Sequence, residues 1–250
     1  MEFDAKKAKE EVVKWIKEWF DINGKDCNAV VGISGGKDSS VVAALCVEAL
    51  GKDRVIGVLM PNGGQGDIGD AVELINHLGI KSYTINIKGA VDKILRCMEL
   101  NGIDITDQTR INLPPRIRMS TLYAVSQSNN GRVANTCNLS ESLLSFESRW
   151  GDSVGDYSPL ADFTVQEVKA IGHELKLPYE LVEKTPADGL CGCSDEEALG
   201  FTYAVVDRYI RTGEIEDENI KKEIDLRIDK YRFKRLSLPH FKSGLNKFVE

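Results

Sequence analysis

The 250-residue sequence carries a net charge of −7, with 28% charged and 42% hydrophobic residues. That profile describes a globular chain long enough to bury a sizeable core, and its acid excess argues against a general nucleic-acid binder. No run approaches a membrane-spanning length, and the opening Met-Glu-Phe-Asp-Ala-Lys-Lys lacks the apolar core of a signal peptide, so the expectation is a cytoplasmic protein without nucleic-acid or membrane partners.

Ala5, Ala8, Val12, Ile16 and Trp19 recur at steps of three and four, which predicts an amphipathic helix ended by Asn23-Gly24. The apolar run Ala29-Val30-Val31-Gly32-Ile33 predicts the first strand. Ser34-Gly35-Gly36-Lys37-Asp38-Ser39-Ser40 then opens a helix, apolar on nearly every side, that runs to Leu50. A strand-to-helix turn of this kind aims backbone N–H groups and the positive end of a helix dipole at one spot, which suits a phosphate. The bland alternative is an ordinary junction in which Asp38, Ser39 and Ser40 start the helix as caps. The Walker A pattern fails, because Lys37 stands where its second glycine belongs.

Residues 54–60 predict a second strand broken by Pro61-Asn62-Gly63-Gly64, residues 67–78 a helix, 81–87 a third strand and 90–100 another helix. The formal G-x-G-x-x-G from Gly64 to Gly69 is set aside as a dinucleotide fingerprint. Asp67 would crowd a pyrophosphate, and the third strand ends Ile85-Asn86-Ile87-Lys88 with no carboxylate for a ribose.

Asn112-Leu113-Pro114-Pro115-Arg116-Ile117-Arg118-Met119 predicts a helix start with both prolines in the first turn, running to about Gln127. Arg116 and Arg118 then read either as surface arginines or as an anion clamp. Residues 132–136 predict a further strand, and Asn135 to Glu141 repeats the strand–polar turn–helix design with Glu141 its one charged group, a second carboxylate for a metal. Residues 149–156 form a glycine-rich acidic loop, Thr164 caps a helix through Leu175, and residues 183–196 suit a mobile lid. Leu199, Tyr203, Val206 and Ile210 predict one helix; Ile220, Ile224, Ile228 and Tyr231 predict the last, followed by a basic tail. Cys27, Cys46, Cys97 and Cys137 read as small core residues, and Cys191-Gly-Cys193 as a loop feature.

Ser34-Gly35-Gly36-Lys37-Asp38-Ser39 resembles the pyrophosphatase loop of ATP-dependent amidating and thiolating enzymes. Further pieces narrow the resemblance to the ammonia-dependent NAD synthetases: Arg116-x-Arg118-Met119, the turn 135–141, Trp150-Gly151-Asp152, Pro159-Leu160, Ala187-Asp188, Asp195-Glu196 and Leu199-Gly200-Phe201-Thr202-Tyr203. The resemblance spans almost the whole chain. It implies a three-layer αβα sandwich with a parallel sheet, adenine-nucleotide alpha-hydrolase-like, as one domain over residues 1–250. The C-terminal helices and tail would occupy about 195–250, with no glutaminase domain. The implied reaction is ATP-dependent amidation of deamido-NAD with free ammonia through an acyl-adenylate, with Mg²⁺ as cofactor and a homodimer as the assembly.

By matching positions, the resemblance implies that Gly32, Ile33, Ser34, Gly35, Gly36, Lys37, Asp38, Ser39 and Thr136 hold ATP, and that Asp38 and Glu141 hold the metal. Asn112, Arg116, Arg149 and Asp156 would hold deamido-NAD. Asp152 would sit beside metal and ammonia, where a buried carboxylate takes a proton from ammonium. Thr185 substitutes for a lid hydroxyl displaced by Pro186. Val165 stands where the family often has a lysine, for which Lys37 compensates, and Phe233 replaces the histidine of a His-Lys pair, leaving Lys234. The competing readings are another amidating synthetase, a tRNA-thiolating enzyme, and a non-catalytic ATP-binding sensor of the same fold.

Overall fold

Val30 faces one side of the central strand while Ala29 and Val31 face the other, and all three are fully buried, so the strand is enclosed on both faces. The computed structural model of the chain describes residues 3–64, 68–184 and 195–242. Its first half contains α1 (Ala5–Asn23), β1 (Asn28–Gly32), α2 (Lys37–Leu50), β2 (Val55–Leu59), α3 (Ile68–Leu78), β3 (Lys81–Thr84), α4 (Lys88–Leu100) and α5 (Asp107–Ser128). Then come β4 (Gly131–Ala134), α6 (Leu139–Leu144), α7 (Val165–Glu174), α8 (Tyr179–Glu183), α9 (Asp195–Leu199), α10 (Tyr203–Thr212), α11 (Glu218–Lys230) and α12 (Arg232–Arg235).

The strands are all parallel, in the order β3-β2-β1-β4, with Val31 level with Gly57 on one side and Ala134 on the other. The order reverses between β1 and β4, so the turns leaving these two strands open into one crevice at their carboxyl ends. Helices α1, α2, α3, α7 and α8 cover one face of the sheet, and α4 and α5 the other. The amphipathic stripe of α1 buries Ala8, Val12, Ile16 and Phe20, the last two almost completely and each worth about 2 kcal/mol by area. A separate apolar cluster of Leu144, Val165, Leu199, Phe201, Tyr203, Val206 and Ile224 joins α6 to the C-terminal helices on one flank.

Several elements differ from the sequence expectation. Helix α5 starts at Asp107, because the Thr106 hydroxyl accepts from Thr109 N–H and supplies a better cap than Asn112 does. Pro114 and Pro115 therefore lie inside the helix, both buried, where each removes an i→i−4 hydrogen bond. Arg116 and Arg118 consequently project from mid-helix and not from a helix start. The helix expected through Leu199 and Ile210 is two helices, since Gly200 at φ +81° ends α9 and Thr202 precedes α10. Part of the segment read as a lid is ordered as the end of α8, and the basic tail begins as α12. Cys97 is exposed on α4, whereas Cys27, Cys46 and Cys137 are buried as expected.

Candidate functional site

The turn after β1 carries the first group of candidates. Gly35 holds φ +82°, and a Cβ there would stand 2.9 Å from the backbone nitrogen of Ala71, so both conformation and space require glycine. Gly36 occupies the N-cap of α2 in an extended conformation and no side chain caps the helix. The expected capping oxygens are turned elsewhere. Ser39 Oγ donates to Gly36 O at 3.1 Å and lies 3.2 Å from Ser34 Oγ, and Ser40 Oγ donates to Gly36 O at 2.8 Å. The first amides of α2 are thus left to an external acceptor, at the positive end of a 14-residue helix. Gly32 and Ile33 lie at the strand end, and Ile33 N–H pairs with Val58 O at 2.9 Å, so these two shape the turn from behind.

Lys37 is the first residue of α2, and its side chain is 2% exposed. Its ammonium lies 2.7 Å from Asp38 Oδ2 and 3.5 Å from Glu141 Oε1. Burial alone would lower the lysine pKa, but the two carboxylates outweigh it and raise the group above its ordinary value, so Lys37 stays charged.

The turn after β4 supplies Glu141. Asn138, fully buried, accepts from Glu141 N–H at 3.0 Å through Oδ1 and caps α6, while its Nδ2 donates to Asp38 Oδ1 at 2.9 Å. One amide therefore starts α6 and fastens Asp38 of α2 to it, bringing Asp38, Lys37 and Glu141 together across about a hundred residues of chain. Thr136 is half-buried in the same turn, between β4 and α6. Asn135 folds the following loop back on the strand. Its Nδ2 donates to Asp152 O and Val154 O, and its Oδ1 accepts from Cys137 N–H and Ser158 Oγ. Gly155 passes so close that a Cβ would meet Asn135 N at 2.6 Å.

Asp152 accepts from Ser148 N–H at 2.8 Å and is exposed at the rim of the loop. Crowding by protein raises its carboxyl above the ordinary value, Ser148 N–H pulls the other way, and the neighbouring Glu147 adds to the rise. Asn112 reaches the same loop, accepting from Ser148 Oγ, and Arg116 Nε donates to Arg149 O at 3.4 Å. Arg149 lies over the rings of Trp150 and Phe233, and its Nε is enclosed without a hydrogen bond. Lys234 donates to Ser145 O and Glu147 O, both at 3.1 Å. Asp156 is committed to the fold: Oδ2 accepts from Val133 N–H at 2.7 Å and Oδ1 from Tyr123 Oη at 3.3 Å.

The candidates thus form two groups, one of residues 34–39, 138 and 141, the other of 112, 116, 148–152, 233 and 234. Thr185 lies outside the described residues, as does most of the segment read as a lid. Val165 is an interior residue of the flank cluster, so this departure from the family fills a core position. A groove of about 580 Å³ on α3, lined by Val72, Glu73, Asn76, His77 and Pro178, contains no candidate side chain. Asn138 and Ser148 are site residues beyond the sequence-predicted candidates. Asn138-Leu139-Ser140-Glu141 matches the capping pattern and was legible, whereas nothing local marks Ser148.

The carboxylates of Asp38 and Glu141 converge on one positive charge, and hard oxygen donors of that kind fit Mg²⁺. Among the described residues no three acidic, histidine or cysteine side chains gather at one point, so a divalent ion here would complete its shell with phosphate oxygens and water. Bare helix amides, a permanent cation and two acids together suit the handling of a polyphosphate.

The NAD synthase family model matches residues 8–243. An NH(3)-dependent NAD(+) synthetase from Thermococcus sibiricus is 36% identical over 208 residues, covering 82% of this chain and 81% of the relative. Among solved structures, the NMN synthetase from Francisella tularensis superposes with a TM-score of 0.87 at 30% identity, covering 96% of this chain and 100% of that one. The NH3-dependent NAD synthetase from Campylobacter jejuni superposes with a TM-score of 0.78 at 27% identity, again over 96% of this chain and 100% of that one.

Proposed function

The chain belongs to the NAD synthase family, and on that premise we propose that it amidates the nicotinate carboxylate of deamido-NAD with ammonia, consuming ATP and releasing AMP and diphosphate. The observation that carries this reading is the joining of the two turns through Asn138, which sets Asp38, Lys37 and Glu141 at the uncapped start of α2. A carboxylate is a poor electrophile, so its oxygen first forms a bond to the α-phosphorus of ATP while the bond to the bridging oxygen breaks and diphosphate leaves. The amides of α2, the hydroxyls of Ser34 and Ser39 and the ammonium of Lys37 take up the charge that collects on that leaving group. Asp38 and Glu141 would hold Mg²⁺, which supplies charge neutralisation at the phosphates.

Ammonia then forms the C–N bond and AMP leaves with the electron pair of the broken C–O bond. Ammonium must lose a proton before it can attack, and Asp152, with its carboxyl raised by the protein crowded around it, would accept it at a carboxylate oxygen. Asn112, Arg116, Arg149 and Lys234 would orient the acceptor together with Asp156, whose bonds to Val133 and Tyr123 hold its own carboxylate in place, and Thr136 and Thr185 would face ATP. Helices α4 and α5 and the segment joining them leave Ile94, Leu100, Ile103 and Ile111 exposed, which supports a homodimer formed through them. Among the described residues no helix is long and apolar enough to cross a membrane, and the described cysteines are free thiols, in keeping with a cytoplasmic enzyme.

A second reading differs in the acceptor alone. The TM-score of 0.87 to an NMN synthetase favours a nicotinate mononucleotide in place of the dinucleotide. One experiment tests both: the purified protein with ATP, Mg²⁺ and ammonium is given deamido-NAD or nicotinate mononucleotide. Formation of NAD and AMP at the higher kcat/KM supports the first reading, preference for the mononucleotide supports the second, and no AMP from either sinks both.

A further inference from the structure

Arg149 has an unusual setting for a cation. Its guanidinium carbon lies 4.9 Å from the centre of the Trp150 ring and 5.4 Å from that of Phe233, while its Nε is enclosed without a hydrogen bond. Among the described residues no carboxylate pairs with it. The two rings are themselves costly to place. Trp150 is 45% exposed and holds φ +64°, a conformation that a bulky residue rarely adopts, with its N–H on Ser153 Oγ at 3.3 Å. Phe233 is 54% exposed on α12.

The position of Phe233 is fixed by its neighbours. Lys234 donates to Ser145 O and Glu147 O, and Arg235 donates to Leu143 O at 2.7 Å and to Ser145 Oγ at 3.3 Å. These cations occupy the negative end of α6 and satisfy its last carbonyls, so α12 is docked on the same helix whose first turn carries Glu141. Docking α12 brings the Phe233 ring to Arg149.

We infer that Phe233 is a positioning residue: with Trp150 it braces the guanidinium of Arg149 so that its in-plane N–H groups receive a phosphate oxygen of the acceptor nucleotide. The inference rests on the reading of Arg149 as an acceptor-binding residue. Aromatic faces attract the cation and restrict its rotamers without using its in-plane donors, which stay available for a bidentate anion. The phosphate is the fitting anion and the nicotinate carboxylate is not, since a fixed cation on the attacking oxygens would weaken them as nucleophiles.

The test compares full-length wild type with Phe233→Leu, which keeps apolar bulk without a ring face, and Phe233→Tyr, which restores the face. Phe233→Leu raises KM for deamido-NAD about tenfold, equivalent to about 1.4 kcal/mol, while kcat and KM for ATP stay within about twofold. Phe233→Tyr recovers the wild-type KM. Inhibition by nicotinate mononucleotide, which carries a phosphate but no adenylate, weakens by the same factor in Phe233→Leu. An unchanged KM, an equal loss for ATP and acceptor with a lowered Tm, or a leucine variant as good as tyrosine overturns the inference while wild-type turnover leaves the family reaction standing. A wild type that makes no AMP with either acceptor overturns the function and this inference with it.

Discussion

The turn after β1 ends on Gly36, which lends no side chain to α2, whereas the turn after β4 ends on Asn138, whose amide closes the first turn of α6. Both follow the same strand–polar turn–helix design, yet the first presents bare amides and the second is sealed. The difference assigns them different work. An open helix start can accept a phosphate, and a sealed one can carry a carboxylate to a fixed place without competing for the anion. The two are then tied by Asn138 to Asp38 and by Lys37 to Glu141, so neither is positioned independently of the other.

The largest break in this arrangement comes from Lys37→Met. It leaves Asp38 and Glu141 facing each other without their shared cation and is expected to cost about 3 kcal/mol, read by denaturant unfolding. Added Mg²⁺ should recover part of that loss in the variant and change the wild type far less. No recovery would mean that the two acids do not present a joint cation site.

Next in size is Asp152→Asn, expected to lower kcat about a hundredfold at neutral pH with saturating ammonium, equivalent to about 2.7 kcal/mol. The sign of its stability effect is separate. A carboxyl raised in the folded state binds protons more readily there than in the unfolded chain, so ionising it destabilises the fold as pH rises through the folded-state value. The asparagine variant should therefore unfold at an equal or higher temperature than wild type at pH 7, and the gap should close as pH falls below the ordinary carboxyl range. Full turnover in this variant would remove Asp152 from the proton transfer.

Asn138→Ala removes both the cap of α6 and the anchor of Asp38, and should cost about 2 kcal/mol, with Asn138→Asp keeping the cap but repelling Asp38. If alanine and aspartate variants unfold alike, the tie between the turns contributes little beyond capping. The smallest change is Gly36→Asp, which converts the open turn into a sealed one. It should raise KM for ATP about tenfold with Tm held or slightly increased, because the new carboxylate occupies the amides and repels phosphate. An unchanged KM would place the triphosphate elsewhere.

The order of strands and helices was legible because hydrophobic period and glycine breaks are local signals, as in the Ala8–Val12–Ile16 stripe of α1. Helix α5 was misplaced by five residues, since the Pro114-Pro115 pair looks like a start while Thr106, an ordinary threonine in a polar run, is the cap. The apolar neighbours of Cys97 predict an interior position, but α4 turns that side outward. Within the candidate site, residue type and spacing single out the glycine turn, Asp38 and Glu141, which the fold brings together. The bond from Asn138 to Asp38 and the placing of Phe233 over Arg149 were not, because their partners are 100 and 84 positions away along the chain.

What the sequence determined by itself is the chemical inventory: an amide-rich turn, two acids, the arginines and a family membership carried by their order. Tertiary structure decided which of these act on one another. Lys37 becomes the counter-ion of both acids, Asp156 is drawn into bracing β4, and Arg149 is held between two rings, with no carboxylate on it among the described residues. The physical reason is range. Helix and strand preferences depend on neighbours within a turn or two, whereas burial, desolvation and charge pairing depend on which surfaces the packed sheet brings within a few ångströms.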